Sequence, residues 1–149
     1  MKDIKLINFF YKPGYSDMRG GYHSAELKKT EGNKWVVECS DREDHRSPNI
    51  VTVYAVADEA VADLEKFLAR EKFKSLEKRL KSDMFITDYS PWRISIEYVE
   101  TVFGKTTEKE CNLAEYRVYT KRDRDFLNEL KDRFGKLKGE KISERTEKD

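Results

Sequence analysis

The sequence has few cysteines, no long apolar stretch and almost no net charge. Only Cys39 and Cys111 are present in 149 residues, and no CxxC motif or suitably spaced histidine accompanies them. This excludes a disulfide framework and a complete structural zinc site within one chain. No stretch approaches the roughly 18 consecutive apolar residues that a membrane-spanning helix needs. Because free thiols suit a reducing compartment, we expect a cytoplasmic protein.

Charged side chains are abundant, but the two signs are balanced. Lys and Arg number 30 and Asp and Glu 29, for a net charge of +1. A nucleic-acid-binding protein usually carries a basic stripe, because contacts to phosphates supply much of its affinity. The densest basic run, Arg70–Lys81, includes glutamates and has the alternating charge of a solvated helix face. Nucleic-acid binding through this helix, 70–81, is therefore an alternative rather than the first hypothesis.

Common motifs for cofactors and catalysis are also missing. The sequence contains no GxGxxG, GxSxG or HExxH motif, and the loop Tyr15–Gly21 contains no GKS/T. The glycine-containing loop Tyr15–Gly21 precedes a strand-like run, so it lacks the helix N-terminus of a phosphate-binding loop. The acidic loop Asp41–His45 lacks the glycine and the distal glutamate of an EF-hand. We predict no cofactor and no bound metal.

Alternating apolar residues predict several β-strands. Apolar residues occupy both parities of Ile4–Tyr11, which is typical of a strand near the middle of a sheet. The runs on either side of Glu31-Gly32-Asn33 predict a hairpin, with His23 on an edge strand. Further strands are expected at Asn49–Val56 and Trp92–Val99. The segment Leu113–Tyr119 is ambiguous and could form a short edge strand.

Two segments have helical periodicity. The first runs over about 58–81 with Asp58 as N-cap, and Thr120 with Asp123 resembles the capping pair of a second helix reaching Leu137. Since no regular βαβ alternation occurs, we predict an α+β fold. It is a two-layer sandwich with a mainly antiparallel sheet of about five to six strands and both helices packed on one face. A single domain covers 1–139, and 140–149 is a frayed polar tail.

The most distinctive string is Asp88-Tyr89-Ser90-Pro91-Trp92. In a purely structural interpretation, Asp88 fixes the turn and Trp92 anchors a strand on the core. In the functional one, aromatic and arginine side chains in loops form a docking surface, because these residue types dominate binding hot spots. We predict a protein-binding surface formed by Tyr15, Arg19, Tyr89, Trp92 and Arg93.

The first functional hypothesis is a small cytoplasmic module that binds another protein without catalysing a reaction. Small sheet-plus-helix domains include immunity proteins and other inhibitors, but this likeness is one of architecture alone. The alternative is an enzyme of unrecognised type, with His23 and Asp88 lining a pocket.

Overall fold

A computed structural model describes most of the chain, and its regular elements all fall in these ranges. Described are residues 2–13, 21–44, 46–70, 92–115 and 120–147, together with positions 73, 76 and 77. The strands are β1 (Lys2–Lys12), β2 (Tyr22–Lys29), β3 (Trp35–Arg42), β4 (Asn49–Ala55), β5 (Trp92–Val102), β6 (Lys105–Glu115) and β7 (Lys141–Glu147). The helices are α1 (Asp58–Arg70) and α2 (Lys121–Gly135).

The strands form one sheet in the order β6-β5-β1-β2-β3-β4-β7, and each neighbouring pair is antiparallel. This confirms an α+β protein built on an antiparallel sheet. Within the described residues the sheet has seven strands, however, not the five to six that the sequence predicts. β2 lies inside the sheet between β1 and β3, not at an edge.

The strand that periodicity could not reveal is β7. The segment 140–149, predicted as a frayed tail, contains this strand, which pairs with β4 along the sheet edge. All seven of its residues are exposed, so it has no buried face to produce an alternating apolar pattern. Backbone pairing and side-chain bonds hold it instead.

One ion-pair chain ties β7 to the middle of the sheet. Arg145 of β7 reaches across β4 and donates to Glu38 of β3 at 3.2 Å. Lys28 of β2 lies 2.5 Å from the same carboxylate. The hydrogen bond from Lys28, and then that from Arg145, holds the pKa of Glu38 below its ordinary value against the opposing effect of burial. Three strands are thereby joined through one carboxylate.

The sheet divides between β1 and β2. β1 pairs with β5 from Lys2 to Lys12, with an irregularity between Leu6 and Asn8, but it pairs with β2 only at Phe9–Tyr11. Helix α1 contacts β1, and residues of both elements line one cavity at the N-terminal part of the strand. There the backbone N–H of Leu6 donates to the Glu65 carboxylate at 2.7 Å. The Glu65 side chain of α1 therefore satisfies a backbone N–H group of β1 on the side of the strand that faces away from β5.

Both helices contribute to one hydrophobic core. The Phe134 ring of α2 stacks on Phe9 of β1 with 4.6 Å between centroids, and Phe67 of α1 stacks on Phe126 of α2 at 5.4 Å. Other residues almost completely buried in this core are Ile4, Leu27, Leu64, Leu68, Ile94, Ile96, Tyr98, Leu113, Leu127 and Leu130. These contacts supply most of the favourable free energy of folding.

The helix boundaries confirm part of the sequence prediction. Thr120 caps α2, because its hydroxyl accepts the backbone N–H of Asp123 at 3.0 Å. The first helix is described continuously to Arg70, and positions 73, 76 and 77 are also helical, with Phe73 and Leu76 buried. The sequence also predicts a bend in this helix near residues 71–72 and a short strand at 84–87, and both lie outside the described residues.

Neither α1 nor α2 has the length and apolar character required to cross a membrane.

Candidate functional site

Two of the five predicted surface residues can be located. Tyr15, Arg19 and Tyr89 lie outside the described residues, whereas Trp92 and Arg93 begin β5. Because adjacent strand residues project to opposite faces, these two side chains face different ways. Trp92 is half-buried against the core, and Arg93 is exposed. The five-residue surface stays a prediction.

Trp92 belongs to a small aromatic cluster around a lysine. The ammonium group of Lys131, on α2, lies 4.6 Å from the Trp92 ring centroid and 6.0 Å from that of Tyr11. A cation over an aromatic face is attracted by the ring quadrupole. Burial lowers the pKa of Lys131, since desolvation disfavours the charged form. The cluster holds α2 against one end of the sheet. This agrees with the structural interpretation, in which Trp92 anchors its strand on the core.

The secondary candidate His23 is found in an exposed polar pair. Its Nδ1 lies 2.7 Å from Oδ1 of Asp41 on the neighbouring strand, and 61% of the His23 side chain is accessible. Asp88, its proposed catalytic partner, lies outside the described residues. The His23–Asp88 site therefore stays a prediction.

The acidic loop after β3 uses a carboxylate to shape the chain. Oδ1 of Asp44 accepts the backbone N–H groups of Arg46 and Ser47, each at 2.9 Å. This is the local bonding that makes aspartate common in turns. His45 lies outside the described residues. Within the portion of the chain that can be inspected, no group of three or more His, Cys, Asp and Glu side chains is placed to hold a metal ion.

The hairpin between β5 and β6 presents an aromatic residue that the sequence patterns do not single out. Val102 pairs with Lys105, which leaves Phe103 and Gly104 as a two-residue connection. Their φ angles are +51° and +78°, as a type I′ turn requires. Asparagine or aspartate normally precedes the glycine in such turns, because a bulky residue is strained at positive φ.

Phe103 obtains no packing in return for this strain. It is 92% exposed, far more than any other large apolar residue in the described chain. The available sequence signal was the Phe-Gly pair itself, standing where Asn-Gly would give an unstrained turn. This signal is visible only once the loop is known to have two residues, which the pairing of Val102 with Lys105 fixes.

A charged groove lies at the same end of the sheet as this hairpin tip. Lys2 pairs with Val102, so the beginning of β1 is adjacent to the tip. Between this part of β1 and α1 is a cavity of about 570 Å³, here called the β1 groove. Its charged lining residues are the cationic Lys2, Lys5, Lys66, Arg70 and Arg133 and the acidic Asp3, Asp63 and Glu65.

Together these features define an antiparallel α+β domain with an exposed aromatic tip beside a mixed-charge groove. Comparison with known proteins does not add a family: no protein-family model, curated protein sequence or solved structure matches this chain.

Proposed function

We propose that this protein is a non-catalytic binding module of the interaction or inhibitor type, and that Phe103 is its anchor for a protein partner. The observation that carries the proposal is a phenylalanine that is 92% exposed at positive φ on a hairpin tip. Strained residues that the fold does not need are concentrated at functional sites. Aromatic side chains inserted into a partner's pocket supply much of the energy of protein interfaces.

The expected gain is large enough to matter for binding. Burying a phenylalanine side chain contributes about 2 kcal/mol. This corresponds to about 30-fold in affinity, or roughly a quarter of the binding free energy of a micromolar complex. The ring is already displayed on a backbone turn, so little further ordering of the main chain is needed on docking.

The predicted surface around Trp92 and Arg93 is a separate candidate contact region. These residues and Phe103 stand at opposite ends of β5, about 30 Å apart for a strand of this length.

We infer a two-layer arrangement with both helices on one face, because α1 and α2 share one core and touch through Phe67 and Phe126. A cytoplasmic location suits Cys39 and Cys111, which are buried as thiols rather than joined in a disulfide.

Affinity capture from the source cells tests the anchor. Immobilised wild-type protein is compared with Phe103→Asn and with Ile142→Asn, a control that removes another exposed apolar side chain, 59% accessible on β7. A partner retained by wild type and by the control, but lost with Phe103→Asn, supports the proposal. Retention by Phe103→Asn together with loss in a Trp92→Ala, Arg93→Ala variant would favour the Trp92 surface and reject Phe103 as anchor.

A further inference from the structure

The two edges of the sheet are not equivalent. On the β6 edge the backbone N–H of Asn112 donates to the Glu77 carboxylate at 2.6 Å. The chain treats Leu6 in the same way, because its N–H donates to Glu65 where β2 does not cover β1. β7 forms the other edge, and no side chain of the described residues accepts a hydrogen bond from its main chain. An edge of this kind is a template for a further strand.

The register fixes which residues of β7 direct their main chain outward. The backbone N–H of Ala55 donates to the chain just before β7, and that of Val56 donates to β3, so adjacent residues at this end of β4 bond in opposite directions. Alternation along β4 and its register with β7 then direct the main chain of Arg145 toward β4. The N–H and C=O groups of Glu144 and Thr146 consequently point away from the sheet. These groups are here called the open edge.

The strand that carries the open edge is held in place and has no net charge. Arg145 donates to Glu38 of β3 at 3.2 Å and lies 3.1 Å from Glu147, so two carboxylates compensate one guanidinium group. Lys141 lies 2.9 Å from Glu144. Edge strands that avoid pairing usually carry proline or charges that repel a second strand. β7 has no proline, and its charges balance, so a second copy of the strand is not repelled and needs little ordering of the main chain.

We infer that β7 pairs antiparallel with β7 of a second copy of this chain, so that two sheets join into one across the open edge. The two-fold axis passes beside Arg145, and Glu144 of each copy exchanges main-chain hydrogen bonds with Thr146 of the other. The inference goes beyond the proposed function and does not depend on Phe103.

Charge complementarity favours this register. The two copies of Arg145 lie opposite each other, but each is already bonded to carboxylates of its own chain. Glu147 of one copy is then the diagonal neighbour of Arg145 of the other, within reach of an ion pair. A register centred on Glu144 would place two glutamates directly opposite, each compensated only by an exposed lysine, which is less favourable.

Sedimentation equilibrium of the full chain tests the pairing. Wild-type protein is expected to dimerise with a dissociation constant on the order of 10–100 µM, which a few main-chain hydrogen bonds of ordinary strength supply. Thr146→Pro removes an outward N–H from each copy and should weaken the dimer at least about tenfold, although proline is tolerated on an edge strand where its nitrogen faces solvent. Glu108→Pro is the matched control, because it removes an outward N–H from the β6 edge, in the alternation that Asn112 shows, and should leave the dimer intact.

Hydrogen exchange measured by NMR keeps the inference testable if Thr146→Pro unfolds the protein. In dilute wild-type protein the amides of Glu144 and Thr146 should exchange rapidly, whereas that of Arg145 is protected by β4. Raising the concentration above the dissociation constant should slow the exchange of Glu144 and Thr146 about tenfold and leave Arg145 unchanged.

The outcomes separate β7 from the other surfaces. A protein that stays monomeric, or a dimer that a folded Thr146→Pro leaves unchanged or that Glu108→Pro abolishes, overturns the inference, and so does exchange at Glu144 and Thr146 that ignores concentration. Phe103→Asn should dimerise like wild type, and loss of the dimer in that variant would move the contact to the hairpin tip. Protection of the open edge only after another protein is added to a monomer would reassign the edge to a segment of that protein. None of these results depends on partner capture through Phe103.

Discussion

Replacing Phe103 by asparagine should make the protein more stable while removing its proposed anchor. A non-glycine residue in the left-handed region costs about 1–2 kcal/mol, and asparagine lessens this cost through local hydrogen bonding. Since Phe103 is 92% exposed, its removal sacrifices almost no packing. We expect Phe103→Asn to raise the free energy of unfolding by about 1 kcal/mol and the midpoint of thermal unfolding by about 2–4 °C.

Urea and thermal unfolding followed by circular dichroism provide the measurement. Phe103→Ala is the matched control, because it removes the ring but keeps a Cβ at φ +51°, and it should change stability little. Gly104→Ala should lower stability by about 1 kcal/mol, since it introduces a Cβ at φ +78°. If Phe103→Asn and Phe103→Ala both lose stability, the ring packs against the protein and Phe103 is not a strained residue that the fold does not need.

Three further substitutions test the interior. Tyr98→Phe should leave the free energy of unfolding in urea unchanged or raise it by about 1 kcal/mol, because the buried hydroxyl has no hydrogen-bond partner among the described residues. Burial also raises the pKa of Tyr98 to about 12. A clear loss of stability would reveal a partner for the hydroxyl. The free energy of unfolding of the wild type should fall as the pH drops below 4.5 and through the lowered pKa of Glu38 in the folded protein, because protonation weakens its bonds to Lys28 and Arg145. Unfolding of Glu38→Gln measured at several pH values should lack this part of the fall. Parallel stability curves for the two proteins would contradict the prediction. Gly21→Ala should lower the free energy of unfolding by about 1–3 kcal/mol in thermal unfolding, because the new Cβ would overlap the Glu43 carbonyl oxygen. A neutral effect would mean that the backbone there can move.

Sequence patterns predicted the elements whose side chains have one buried face. Alternation located β2, β3 and β5, because their core residues recur at every second position, and a β-branched run located β4. Capping chemistry located the start of α2 at Thr120, since the side chain that satisfies the first backbone donors is local in sequence. These signals depend on short-range geometry and can be inferred without knowing the topology.

The features missed by the sequence depend on distant partners. β7 is recognisable only through its pairing with β4, and Arg145 finds Glu38 from more than a hundred residues away. His23 was expected on an edge strand, but its neighbour Asp41 is defined by the register of β2 with β3. The role of Phe103 depends on the length of a turn that only the β5–β6 register fixes.

A single irregularity in β1 helps to explain why a groove exists. Ile4 and Leu6 are core residues of even number, whereas Phe9 has odd number, and the irregularity between Leu6 and Asn8 supplies the change of parity. The extra residue, Ile7, is 39% exposed, so the apolar residues on both parities reflect a bulge rather than a strand buried on two faces. A bulge also increases local twist, and here β2 pairs with β1 only beyond it. Beside the part of β1 that β2 does not cover, α1 lies against the strand and Glu65 bonds to Leu6. Because the same stretch of β1 pairs with the end of β5, the bulge places the groove next to the hairpin tip.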